Sequence, residues 1–161
     1  MCKRIVSLIS GILTFSILVM PAQSGTLTVL PEKLILSWKS IPAGYLVWQT
    51  PIGVWVDIPA EDTTGVPFWA PVTIPTGARL TSLSYHHLDW GQSSVRLIRV
   101  PGGERSGHAV VASAETNPAL NAPQTPSVSF SHTVAAGWRY YLEVRVRGQE
   151  GAGVGKIFLK Y

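Results

Sequence analysis

The residues with the most chemistry to offer are aromatic. Trp38, Tyr45, Trp48, Trp55 and Trp90 cluster in an irregular upstream half and one turn. A row of exposed, flat indoles can stack a π face on the C–H face of a sugar ring while polar side chains nearby take the hydroxyls. The same rings can instead close the ends of a β-domain and fill its core. The two readings divide on whether Trp48, Trp55 and Trp90 are exposed and roughly coplanar, or buried.

Three carboxylates, Asp57, Glu61 and Asp62, fall close together in a predicted loop. Such a group can supply oxygen ligands to Ca²⁺, can act as general acids, or can simply be solvated. In Tyr85-His86-His87-Leu88-Asp89 the imidazoles and the carboxylate invite a metal reading. Strand alternation, however, sends His86 and His87 to opposite faces. His87 and Asp89 share a face, and a third ligand, His108 or His132, would have to come from another strand. Nucleophilic catalysis needs a serine beside a histidine with an orienting acid, and no G-x-S-x-G signals one. No catalytic residue is assigned, and the chain reads as a non-enzyme.

The elements that must position these residues are strands. Twelve prolines and fifteen glycines punctuate short apolar or alternating runs, with no sustained helical period. From Trp138 to Arg147 the alternation is regular: Trp138, Tyr140, Leu142, Val144 and Val146 take the core side, and Arg139, Tyr141, Glu143, Arg145 and Arg147 the water side. Ser127 to Val134 repeats the pattern, and Val154 to Tyr161 sets Ile157, Leu159 and Tyr161 against Lys156 and Lys160. Further strands are expected at 27–30, 34–38, 45–48, 54–58, 68–74, 79–88, 95–100 and 108–114. Pro75-Thr76-Gly77 reads as a tight turn, and Asn117 to Pro126, with three prolines, as a long surface connection. The expected fold is a single antiparallel β-sandwich.

Composition narrows the address. Met1 to Arg4 is a basic start, Ile5 to Met20 is mostly apolar, and Ala22-Gln23-Ser24 offers small residues for cleavage before Gly25, the order of a signal peptide. The apolar run is short for a membrane span. Removing residues 1–24 from the 161 leaves a domain of 137 residues, periplasmic or extracellular, with no stable membrane insertion. The only cysteine, Cys2, leaves with the leader, so a thiol nucleophile, a Cys-ligated zinc and a disulfide are excluded from the domain. Loss of Lys3 and Arg4 lowers the formal net charge from +4 to +2, and no two basic residues are adjacent thereafter. That is no footprint for nucleic acid.

Phe68-Trp69-Ala70-Pro71-Val72-Thr73-Ile74-Pro75-Thr76-Gly77-Ala78 resembles an aromatic-A-P-V-x-L-P-x-G-A stretch found in a recurrent domain of exported bacterial proteins. The resemblance continues through Tyr85 to Asp89, Val95 to Arg99, Ser131 to Val134, Tyr140 to Leu142 and Lys156 to Tyr161, and covers roughly residues 43–161. Ile74 stands where the pattern has Leu, and the Asp89-Trp90-Gly91 turn is shorter and poorer in Asp and Ser. The resemblance implies a jelly-roll-like sandwich and carries no catalytic residue. The expectation is therefore a binding module for a glycan, through Trp48, Trp55 and Trp90, or for a protein partner. The alternative is a structural protein that self-assembles as a homo-oligomer.

Overall fold

The computed structural model describes residues 24–37, 42–59, 65–88, 91–102, 107–117, 120, 122–148 and 151–161. Apart from Ser24, the expected leader lies outside them, as do Trp38, Glu61, Asp62, Asp89 and Trp90. The chain forms a two-sheet antiparallel β-sandwich of the jelly-roll-like kind. Its strands are β1 (Thr26–Val29), β2 (Ile35–Leu36), β3 (Leu46–Thr50), β4 (Gly53–Asp57), β5 (Val66–Val72), β6 (Arg79–Leu88), β7 (Gln92–Pro101), β8 (Ala109–Glu115), β9 (Ser127–Thr133), β10 (Trp138–Arg147) and β11 (Ala152–Lys160). A 3₁₀ turn, Pro31–Lys33, joins β1 to β2. Among the described residues no helix is long and apolar enough to cross a membrane.

Sheet A runs β3-β4-β11-β6-β9, with β1 also on β11, and sheet B runs β2-β5-β10-β7-β8. β4 pairs with Ala152–Val154 of β11 and β1 with Ile157–Lys160, so two short strands share one flank of the long one. β10 is central in sheet B, aligned with β5 on one side and with all ten residues of β7 on the other. Central placement explains its alternation, since one face must enter the core while both edges are hydrogen-bonded. Leu142, Val144 and Val146 are wholly buried, and they meet Leu80, Leu83, Ile157 and Leu159 of sheet A in one cluster. Burying each such side chain contributes on the order of 1.5–3 kcal/mol, which is how a domain without disulfides holds together.

One expectation needs correction. Glu143, placed on the water side of β10, is buried on the outer face of sheet B: it aligns with Trp69 of β5 and Arg96 of β7, and Arg145 Nε donates to its Oε1 at 2.6 Å. Pro75-Thr76-Gly77 does form a tight turn, with Ala78 N donating to Pro75 O at 3.1 Å and Gly77 at φ +83°. It carries the chain from β5 in sheet B to β6 in sheet A, and hydrogen bonds from Gly77 N to Val134 O and from Val134 N to Ala78 O fix the corner.

Candidate functional site

The aromatic shelf lies on the outer face of sheet A, on the β3–β4 hairpin. β4 buries Val54 and Val56, and alternation turns Gly53, Trp55 and Asp57 outward. In register, Trp48 lies opposite Trp55, Leu46 opposite Asp57 and Thr50 opposite Gly53. Trp48 is 43% exposed and Trp55 partly buried. A two-residue turn, Pro51-Ile52, closes the hairpin; Thr50 Oγ1 accepts from Ile52 N at 3.3 Å and donates to Gly53 O at 3.4 Å. On the other side of β3, the Gln49 amide donates to Pro31 O and, at 3.2 Å, to Leu34 O, tying this edge strand to the 3₁₀ turn.

Two glycines set the pose of Trp55. A Cβ on Gly153, the Cα partner of Trp55 on β11, would meet Cδ1, Nε1 and Cγ of the indole at 2.8, 2.9 and 3.2 Å. A Cβ on Gly53 would meet Cη2 and Cζ3 at 2.9 and 3.1 Å. Both missing side chains would project outward, so the indole lies spread over the sheet, its five-membered ring above Gly153 and its six-membered ring toward Gly53. Any side chain at Gly153 would have to displace the ring. Leu88 of β6, aligned with Gly153, closes the shelf, and beyond it the rings of His86 and Phe158 meet at 5.1 Å.

The sequence candidates are therefore distributed unequally. Trp48 and Trp55 come together on one open face, while Trp90 lies outside the described residues. Asp57 sits at the end of β4 on the same face; its partners in the Ca²⁺ reading, Glu61 and Asp62, also lie outside the described residues. Among the described residues no three His, Cys, Asp or Glu side chains group to hold a metal. His86 is exposed and His87 buried, on opposite faces as alternation requires; His132 meets Tyr140 Oη at 2.9 Å.

Sequence reasoning missed a buried polar cluster between the sheets. Ser93 Oγ lies 2.9 Å from His87 Nδ1 and 3.0 Å from Tyr85 Oη; Tyr85 Oη donates to Ser93 O at 2.7 Å, and Ser93 N donates to Thr116 Oγ1 at 3.0 Å. Tyr85 and His87 belong to β6, Ser93 to β7, so the cluster bridges sheet A and sheet B. Burial pushes the Tyr85 phenol up to about 12, partly offset by its hydrogen bond to Ser93. The Ser–His pair is sealed from substrate, His87 being 1% exposed. Its work is to satisfy polar groups that would each cost free energy if buried alone.

No family model matches the chain, and no curated protein matches it. Among solved structures, the CsCBM6-3 module of Clostridium stercorarium in complex with cellobiose is 13% identical, covers 81% of this chain and 89% of that one, and has a TM-score of 0.44. The C-terminal CBM6 of LamC, a laminarinase of Zobellia galactanivorans, is 14% identical over 85% of this chain and all of that one, with a TM-score of 0.47. The CBM35 of Abf62 from Cellvibrio japonicus is 9% identical over 84% and 92%, with a TM-score of 0.44.

Proposed function

We propose that this chain is a non-enzymatic glycan-binding module, exported behind a signal peptide to the periplasm or beyond the cell, that takes a sugar ring on the Trp48–Trp55 shelf. The observation that carries this reading is the pose of Trp55, spread over Gly53 and Gly153 with Trp48 opposite it and open to solvent. A flat, poorly hydrated π surface gains by covering the C–H face of a sugar, and holding the ring flat in advance removes the entropic cost of ordering it. Asp57 and Thr50, on the same face, are positioned for hydroxyls at the margins.

Affinity electrophoresis through a panel of soluble polysaccharides tests the reading. Retention by at least one polymer is expected, weakened about tenfold or more in Trp48→Ala and Trp55→Ala, a loss of about 1.4 kcal/mol or more. Folded variants retained as strongly as the parent chain would sink it. Self-assembly is a second reading, favoured by the exposed Leu46 and Ile52 (71%) beside the open edge of β3. A mass that rises with concentration, and falls back in Ile52→Lys, is its signature.

A further inference from the structure

Away from the shelf, the outer face of sheet A changes chemistry along β11. Gly153 under Trp55 is followed by Lys156, Phe158 and Lys160 on the outward side, while Ile157 and Leu159 enter the core. Lys160 aligns with Ser82 of β6 and Thr26 of β1, and Phe158 with Ser84 and Thr28. β9 adds Ser127, Ser129 and Ser131, and Arg79 at the head of β6 donates through Nε to Ser131 Oγ at 3.1 Å. Lys156, Lys160 and Arg79 are all exposed. Among the described strand residues of this face the single acid is Asp57, at the opposite corner beside Leu46.

From this we infer that the glycan bound on the Trp48–Trp55 shelf is an anionic polysaccharide, laid along β11 with its acid groups over Lys156 and Lys160. The inference rests on the shelf reading and gives that ligand its charge. From Gly153 to Lys160 the track spans seven residue steps, roughly 23 Å at about 3.3 Å per step. That is long enough for several sugar rings. Exposed lysines are individually weak and screened by salt. A polymer that repeats its charge engages them together, and the surrounding hydroxyls serve both carboxylate or sulfate oxygens and neutral sugar oxygens. A flat sheet with isolated cations offers nothing to seat a duplex in a groove.

The test uses the full chain and matched pairs of polymers. Polygalacturonate is compared with methyl-esterified pectin, dextran sulfate with dextran, and oligo-dT serves as a non-glycan polyanion. Stronger retention by polygalacturonate or by dextran sulfate than by its neutral partner is expected, about fivefold or more, and the stronger of the two names the acid group. That retention falls between roughly 50 and 300 mM salt and drops about fivefold in Lys156→Gln/Lys160→Gln, two surface changes that leave the core intact. Equal retention of charged and neutral partners, unaffected by the lysine changes, overturns the inference and leaves the shelf reading standing. Oligo-dT retained as strongly as the acidic glycans overturns it as general polyanion adsorption. Lysine-dependent retention that ignores Trp48→Ala overturns the inference together with the shelf, because the acidic polymer would then be held by the cations alone. No retention at all overturns both.

Discussion

On the outer face of sheet B the Glu143 carboxylate, 6% exposed, takes a hydrogen bond from Arg145 Nε, and Trp69 meets Tyr141 edge-on with ring centroids 6.4 Å apart. On the outer face of sheet A, Lys156 and Lys160 stand among hydroxyls, and the Trp55 indole lies over glycines with Trp48 exposed beside it. Both faces come from the same period-two alternation of strands. They differ in where the polar and aromatic groups find partners. On sheet B, Glu143 is closed on Arg145 and Trp69 on Tyr141, so a ligand at those groups would have to compete with contacts already made. Sheet A leaves its cations and its indole shelf facing solvent. With Lys156 and Lys160 exposed and the Trp55 indole held in place over its glycines, that face has the more to gain from a ligand.

The sharpest way to break this contrast is Gly153→Val. The new side chain occupies the space of the Trp55 five-membered ring, so either the indole swings off the sheet or the β4–β11 pairing opens. A loss of about 1–3 kcal/mol is expected in denaturant unfolding, as for other overpacked sites, together with a tenfold or greater loss of polysaccharide retention. Unchanged retention and stability would mean that the ring is not held flat by that glycine. Next in size is Tyr85→Phe, which removes a donor to Ser93 O and is expected to cost about 1–2 kcal/mol near neutral pH without touching retention. It also flattens an alkaline limb. The folded phenol ionises near 12 against 10 when unfolded, so above pH 10 the unfolded chain releases its proton first and the parent chain loses stability as pH climbs toward 12. Parallel urea midpoints from pH 9 to 12 for the two chains would contradict that.

The strands were far more legible in the sequence than the shelf. β6 and β10 begin and end where alternation and turn residues place them, at Arg79–Leu88 and Trp138–Arg147. β2 begins one residue later than the expected 34–38, since Leu34 N closes the 3₁₀ turn on Pro31 O; Ser37 N carries the ladder on to Pro67 O, and Trp38 lies outside the described residues. Trp48 and Trp55 could be singled out by type and by the turn between them. The glycine that gives Trp55 its pose could not, because Gly153 lies 98 positions away and only the β4–β11 register brings it underneath. The Ser93–His87 contact was hidden for a related reason: six residues apart in sequence, the two sit in different sheets and meet only after the chain crosses between them. Glu143 shows the limit of alternation itself, which assigns a face but not what the neighbouring strands place over it.

A smaller change sharpens the contrast from the side of sheet B. Glu143→Gln removes the charge that holds Arg145 and that faces Arg96 across the register. If self-pairing is what keeps this face out of polyanion binding, freeing its arginines in the Lys156→Gln/Lys160→Gln background should raise low-salt retention of the acidic polymer about twofold, a few tenths of a kcal/mol. No gain would show that the pairing does not decide which face binds.

The smallest effect concerns His132, which ties β9 of sheet A to β10 of sheet B inside the sandwich. In the tautomer with Nε2 unprotonated, the Tyr140 phenol O–H donates to His132 Nε2, and the phenol oxygen accepts from Ala135 N at 3.4 Å. Protonation would destroy the acceptor. Burial holds the imidazole below its usual range, and the Arg99 charge, stacked at 4.4 Å over Trp138, adds to the shift. A histidine held low when folded takes up its proton later than the unfolded chain does, so stability declines as pH falls through the ordinary histidine value toward the lower folded one. His132→Gln should therefore unfold with a shallower acid dependence between pH 7 and about 5, while polysaccharide retention at pH 7 stays unchanged. A steeper acid limb in the variant would reverse the sign of the linkage. A loss of retention would place the tie under the binding face, not merely between the two sheets.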